Sequence, residues 1–190
     1  MVLPHPDPGT TQRIRCAVIT LSDTRTVADD RSGQLIQHCL TEAGHVVGFY
    51  ALLPDESGPL VQQLGRLAQQ TDLDVIITNG GTGVAPRDTT YDAIVPLLDK
   101  TLPGFGELFR WLSYQEIGSR AMASRALAGT YHGKLIFVLP GSSHAVRLAM
   151  QSLILPELIH LTRQLADQPA QTAQPSSLAT ATGDQLPDRP

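Results

Sequence analysis

The sequence predicts an α/β protein: a three-layer α/β/α sandwich around a mostly parallel sheet, with one antiparallel hairpin strand. Three observations carry that prediction. Short apolar runs alternate with segments whose apolar residues recur every three to four positions, the order of βαβ units. The run LDVIIT, residues 73–78, is apolar on both faces, as a strand covered on both sides must be. Several strands end in small or polar residues, and open parallel sheets bind ligands beyond those carboxyl ends.

Taken in order, residues 14–21, IRCAVITL, form the first strand, which ends at Ser22 and Asp23. A polar loop follows over 24–31. Leu35, Ile36, Cys39, Leu40 and Ala43 then recur at helical spacing, and Gly44 stops that helix. Residues 45–52, HVVGFYAL, read as the second strand. Pro54, Asp55, Glu56 and Ser57 open a second helix with Leu60, Val61, Leu64, Leu67 and Ala68 on one face. After the third strand at 73–78, residues 91–98 form a short helix. Thr89 and Asp92 have the spacing of a capping box at its start, with Asp in place of Glu or Gln. Residues 104–117 are a further helix. Residues 126–131 and 134–139 flank His132-Gly133, a hairpin signal. Residues 142–165 are helical, interrupted at Pro156, which lacks an N–H.

At 190 residues the chain is one domain. Its organisation reads as a flexible tail at 1–12 with Pro4, Pro6 and Pro8, a folded domain at 13–165, and a disordered tail at 166–190. That last segment is rich in Pro, Gln, Ser and Thr and too poor in large apolar groups to offset its ordering entropy. Fourteen basic against eighteen acidic residues leave a net charge of −4, which excludes a nucleic-acid surface built on bulk positive charge. No apolar run reaches the ~20 residues that span a bilayer. The N-terminus has no basic segment followed by an apolar one, so a cytoplasmic protein is expected. Cys16 and Cys39 fall in a strand and a helix without metal-ligand spacing, and read as buried reduced thiols.

The strongest chemical signal is TNGGTGVAPRDTT, directly after the third strand. Gly80, Gly81 and Gly83, next to Asn79, let the backbone approach a ligand and turn N–H groups toward an anion. The Thr82 hydroxyl and the following helix start add to that pull. It is neither a Walker loop nor a dinucleotide fingerprint. A GGTG alone fits a plain turn equally well; the attached PRDTT favours a phosphate-type site. Asp55 and Asp88 each follow a strand end and so can reach one cleft. Two carboxylates beside a phosphate cradle need a cation between them, and Mg²⁺ suits one or two carboxylates plus phosphate oxygens. The plainer alternatives are that Asp55 caps the helix at Glu56 and that Asp88 pairs with Arg87. Pro140, Gly141 and Ser142 repeat the pattern of strand, glycine, hydroxyl and helix start, a second anion site. Ser22 and Asp23 mark another strand end, and Ser124 with Arg125 offers a hydroxyl and a cation. Phe105, Leu108, Phe109, Trp111 and Leu112 crowd one helix over more than one face. Most of them read as core, and part of the stripe as a subunit interface.

Together these strings resemble the molybdenum cofactor biosynthesis protein B family, with the MoaB/Mog molybdopterin-binding fold. The matching pieces are SDTR from Ser22, DRSG from Asp30, PDE from Pro54, TNGGTGVAPRDTT, PGFGELFRWLSYQEIG, SRALAG from Ser124 and LPGSSHAVRLA, over roughly residues 13–165. The resemblance implies a homo-oligomer, a trimer or a hexamer, in the cytoplasm, and other molybdenum cofactor biosynthesis proteins as further partners. It implies molybdopterin and ATP as substrates, Mg²⁺ as cofactor, and a nucleotidyltransferase reaction that adenylylates molybdopterin. The PDE aspartate falls on Asp55 and the PRD aspartate on Asp88, which would hold Mg²⁺ and the ATP phosphates. The glycine loop would seat phosphate and nucleotide, while Ser124, Pro140, Gly141 and Ser142 would help bind the pterin end. The alternative within the same family is a non-catalytic molybdopterin-binding or scaffold oligomer.

Overall fold

The computed structural model describes residues 12–166. The two expected tails lie outside the described residues, except for Gln12, which accepts a hydrogen bond from Arg163 Nε, and Ala166, which ends the last helix.

Strand β1 (Arg15–Leu21) leads through a loop to α1 (Arg31–Glu42), β2 (Val46–Leu53), α2 (Ser57–Ala68) and β3 (Val75–Asn79). Then come α3 (Thr90–Ile94), a 3₁₀ turn at Val95–Leu97, β4 (Lys100–Thr101), α4 (Pro103–Ile117) and a second 3₁₀ turn at Gly118–Ala123. The chain closes with β5 (Leu127–Tyr131), β6 (Lys134–Leu139), α5 (Ser143–Ala149), a π-helical segment at Met150–Ile154 and α6 (Leu155–Ala166). The sheet order is β2-β1-β3-β6-β5-β4. The β1–β2, β1–β3 and β3–β6 pairs are parallel, and β5 runs antiparallel to both β6 and β4.

Alternation along the central strands builds two cores. Cys16 and Val18 of β1, Val75 and Ile77 of β3, and Leu135 and Phe137 of β6 face α1, α4 and the α5–α6 helix. Ala17, Ile19, Ile76, Ile136 and Val138 face α2 and α3, where Leu60, Leu64, Leu67 and Ile94 are fully buried. Both faces of each strand are therefore apolar, the signature of a sheet covered on both sides. This is the α/β/α sandwich that the sequence predicts. Among the described residues no helix is long and apolar enough to cross a membrane.

Three local features differ from the sequence reading. β4 was not anticipated: it is two exposed residues whose pairing with Thr130 and Gly129 rests on backbone hydrogen bonds, with no apolar pattern to betray it. The capping box does not form. Thr89 has helical backbone angles, φ −101° and ψ −10°, and makes no side-chain cap bond, while both Asp92 carboxylate oxygens accept from Arg125 Nη1 at 2.9 and 2.8 Å. The break expected at Pro156 lies a turn earlier, where Leu155 N–H reaches back to the Met150 carbonyl and the helix widens. A residue without an N–H interrupts the i→i−4 ladder, and the wider turn absorbs that interruption while the helix continues.

Helix α4 divides its apolar residues. Phe109 is buried and Phe105 packs edge-on to Phe137, whereas Leu108, Trp111, Tyr114 and Ile117 remain exposed, Trp111 at 61 %.

Candidate functional site

A cavity of about 360 Å³ opens at the carboxyl edge of the sheet, where the chain leaves β1, β2, β3 and β6. Leu21, Ser22, Asp23 and Arg25 line it from β1, Asp55 from β2, the 80–83 loop with Arg87 and Asp88 from β3, and Pro140 and Gly141 from β6. Ser124 closes one side and also lines a neighbouring cavity of about 460 Å³.

Backbone hydrogen bonds lock these loops together. Ser22 N–H donates to the Leu53 carbonyl at 2.9 Å, and Gly80 N–H to the Leu139 carbonyl at 3.0 Å. Asp55 N–H donates to Asp23 Oδ1 at 2.9 Å, which joins the loops after β1 and β2. Gly80 and Gly81 have φ of +107° and +61°, conformations that disfavour any residue with a Cβ. A Cβ on Gly80 would strike the Leu21 carbonyl, and one on Gly81 would strike Asp55 Oδ1 and Thr90 Oγ1. The glycines therefore let an acidic group and a hydroxyl press directly against the loop.

Asp55 stands out by its surroundings. Its Oδ1 is buried with no hydrogen-bond partner among the described residues. Burial first, then the charges of Asp88 and Asp23, push its pKa up, with Arg87 opposing. It does not cap α2, whose N-cap Glu56 makes no side-chain cap bond. Asp88 does not form an ion pair with Arg87; its Oδ2 accepts from Ala85 N–H at 2.9 Å. Neither plain alternative for the two acids is realised.

An unpartnered carboxylate oxygen next to like charges is the environment a divalent cation relieves. Among the described residues no three His, Cys, Asp or Glu side chains form a cluster that could hold a metal. Two carboxylates on this cavity instead suit Mg²⁺, which keeps water and substrate phosphate oxygens in its shell. The residues present fit that ion.

Beneath the cavity lies a polar floor. Asp30, the N-cap of α1, is fully buried. It accepts from Thr20 Oγ1 at 2.6 Å, Tyr50 OH at 2.8 Å, Gly33 N–H at 3.0 Å and Ser32 Oγ at 3.1 Å. Burial alone would raise its pKa, but these donors outweigh it and hold the carboxyl below the usual value. Burial, with Asp30 alongside, pushes the Tyr50 hydroxyl up to about 12, so it stays a donor. Asn79 completes the floor: its side-chain amide donates to Ser32 Oγ at 2.8 Å, and its Oδ1 lies 2.9 Å from Thr20 Oγ1.

Most of the residues singled out in the sequence therefore meet in one cavity: Ser22, Asp23, Asp55, Gly80, Gly81, Thr82, Gly83, Asp88, Ser124, Pro140 and Gly141. Three lie beside it. Asn79 is wholly buried in the floor. Ser142 caps α5 by accepting from Ala145 N–H at 3.2 Å. Arg125 clamps the loop, donating to the carbonyls of Gly83 at 2.9 Å and Asp88 at 2.8 Å and stacking on Tyr91. Its fork is occupied by the protein, so it positions Asp88. Sequence reasoning missed Arg25 and Arg87 as cavity residues. Arg25 stands three positions after Ser22 in a polar loop, where a charged side chain is ordinarily solvated, and its signals are closeness to a strand end and its place in the SDTR string.

The family model for the probable molybdopterin binding domain matches residues 17–160. Molybdenum cofactor biosynthesis protein B of Bacillus cereus is 51% identical over 158 residues, covering 83% of this chain and 94% of that protein. A crystal structure of a molybdenum cofactor biosynthesis protein B, 50% identical, superposes with a TM-score of 0.82 over 84% of this chain and 100% of that one. The tungsten cofactor synthesizing protein MoaB from Pyrococcus furiosus, 35% identical, superposes with a TM-score of 0.73 over 82% of this chain and 99% of that one.

Proposed function

The chain belongs to the molybdenum cofactor biosynthesis protein B family, and from that premise we propose that its cavity adenylylates molybdopterin. Its coarse role is molybdenum cofactor biosynthesis, with molybdopterin as the ligand of the domain. The observation that carries the finer reading is the orphaned Asp55 Oδ1 beside Asp88, facing a glycine cradle.

In this reaction an oxygen of the terminal phosphate of molybdopterin bonds to the α-phosphorus of ATP. The bond from that phosphorus to the β-phosphate oxygen breaks, and pyrophosphate leaves. No covalent enzyme nucleophile is needed; the chain aligns two phosphate-bearing substrates and offsets their charge. The amides of residues 81–83 would receive a phosphate, and Arg125 fixes the segment through the carbonyls of Gly83 and Asp88. Asp55 and Asp88 would hold Mg²⁺, which supplies charge neutralisation at the phosphates. Pro140, Gly141 and Ser124, which line the same cavity, serve the second substrate.

The test is direct. Purified protein incubated with ATP, Mg²⁺ and molybdopterin is expected to yield adenylyl-molybdopterin and pyrophosphate in equal amounts. Saturable molybdopterin binding with no pyrophosphate released would select the scaffold reading instead.

Metal binding should depend on pH through Asp55. A proton and a cation compete for its carboxylate, and the raised pKa extends that competition above the ordinary carboxylate range. The thermal stabilisation given by Mg²⁺ should shrink as pH falls through that raised value and grow as pH rises. Melting curves with and without Mg²⁺ across pH 4–8 measure it; a pH-independent increment would remove Asp55 from the metal site.

The exposed stripe of α4 belongs to the same proposal. Leu108, Trp111, Tyr114 and Ile117 leave an apolar band on the surface, and a second copy of the chain is its occupant in the expected trimer or hexamer. Trp111→Glu should weaken self-association at least ~30-fold, the effect of losing a hot-spot aromatic. Sedimentation equilibrium reads this directly, and an unchanged mass would place the interface elsewhere.

A further inference from the structure

We propose that Arg25 is a phosphate-binding residue of the cavity, preorganised by its hydrogen bonds to the Ser32 hydroxyl and the Gly141 carbonyl. The inference rests on the reading of the cavity as a site for phosphate-bearing substrates, and names the cation that receives one of them.

Arg25 lines the cavity, yet its guanidinium is not free to swing. Nη1 donates to Ser32 Oγ at 2.5 Å and reaches Asp30 Oδ1 at 3.4 Å, while Nη2 donates to the Gly141 carbonyl at 2.8 Å. These bonds tie the loop after β1 to the start of α1 and to the loop after β6. A guanidinium has five N–H donors. Three are used here, so one on Nη2 and the one on Nε have no acceptor among the described residues.

Its charge is also incompletely matched. Asp30 is its one carboxylate contact, single-pronged and long at 3.4 Å, and that carboxylate is already filled by four neutral donors. Arg25 thus retains positive character on a wall otherwise marked by the acids Asp23, Asp55 and Asp88. Arg87, the other cation lining the cavity, is exposed and makes no hydrogen bond or ion pair among the described residues, so it has no fixed geometry to offer. An arginine held planar with spare donors on a cavity wall matches phosphate geometry, and its immobility removes the ordering cost that a loose side chain would add on binding. Two sources of phosphate enter this cavity under the proposed function: the nucleotide triphosphate and the terminal phosphate of the pterin.

Equilibrium titration, without turnover, tests the assignment. Wild type, Arg25→Lys and Arg25→Gln are each titrated with ATP and Mg²⁺ alone and with molybdopterin alone. Lysine keeps the charge but loses the fork, and is expected to weaken one ligand by about 10-fold; glutamine, by roughly 10²-fold. Weakened ATP with unchanged molybdopterin places the nucleotide phosphate on Arg25; the reverse places the pterin phosphate there. A titration of dephosphorylated molybdopterin separates binding from a merely structural role, because its affinity should be indifferent to Arg25. Equal affinities for both phosphate ligands in all three proteins would overturn the proposal, as would equal weakening of the dephosphorylated pterin. If Arg25→Gln does not fold, Arg25→Lys alone decides. Because no product is formed, these results stand whether or not adenylyl transfer occurs.

Discussion

Asp55→Asn should leave a protein that is more stable and nearly inactive. The substitution removes a charge that burial, Asp88 and Asp23 all disfavour, while the amide keeps the shape of the side chain. A carboxyl whose pKa is raised on folding stabilises the native state in acid and loses that contribution as pH rises through the raised value. At neutral pH the ionised Asp55 is therefore a liability, and its removal should raise stability by up to about 1 kcal/mol, the group being part-exposed and screened. Turnover should fall by at least ~10²-fold, since loss of a metal-holding carboxylate forfeits several kcal/mol of charge stabilisation. Asp88→Asn should lose turnover similarly, with molybdopterin affinity largely kept. Paired melting curves and pyrophosphate-release assays make the check, and wild-type rates in either variant would end the assignment of these acids to Mg²⁺.

Asp30→Ala should be among the most destabilising single changes in the protein. It removes the common acceptor of the Thr20, Ser32 and Tyr50 hydroxyls and the Gly33 N–H. Breaking a buried charged network by removing one partner costs about 3–5 kcal/mol, a fall in Tm of roughly 6–20 °C. The pH dependence of Asp30 has the opposite sign to that of Asp55. Its folded pKa is lowered, so its stabilisation is complete above the unfolded value and is lost as pH falls through the folded one. Asp30→Asn should flatten the acid limb of the stability curve, which urea melts at a series of acidic pH values would show. A variant as stable as the parent with the same acid limb would mean the network contributes nothing net.

Legibility in the sequence tracked the range of the forces involved. The strands and helices that build the two cores follow from period-two and period-3.6 patterns, and Cys16, Val18, Ala17 and Ile19 sit on the faces their alternation demands. β4 and the π-helical turn were invisible because one depends on backbone pairing with β5 and the other on how the α5–α6 helix accommodates Pro156. Asp92 shows a local motif losing to a distant partner: its carboxylate is engaged by Arg125, 33 residues away, and Thr89 takes helical backbone angles that do not cap.

The sequence by itself determined the sheet, its carboxyl-edge loops and the glycines whose positive φ at 80 and 81 opens the cradle, because each depends on residue type at local spacing. It also marked Asp55 and Asp88 by position after strands. Only the tertiary structure decided that Asp55 Oδ1 has no hydrogen-bond partner among the described residues, that Asn79 and Asp30 lie under the cavity, and that Arg125 serves the loop while Arg25 keeps spare donors on the cavity wall. Those outcomes depend on which groups from remote segments meet, and a hydrogen bond between residues a hundred positions apart leaves no pattern in either segment alone.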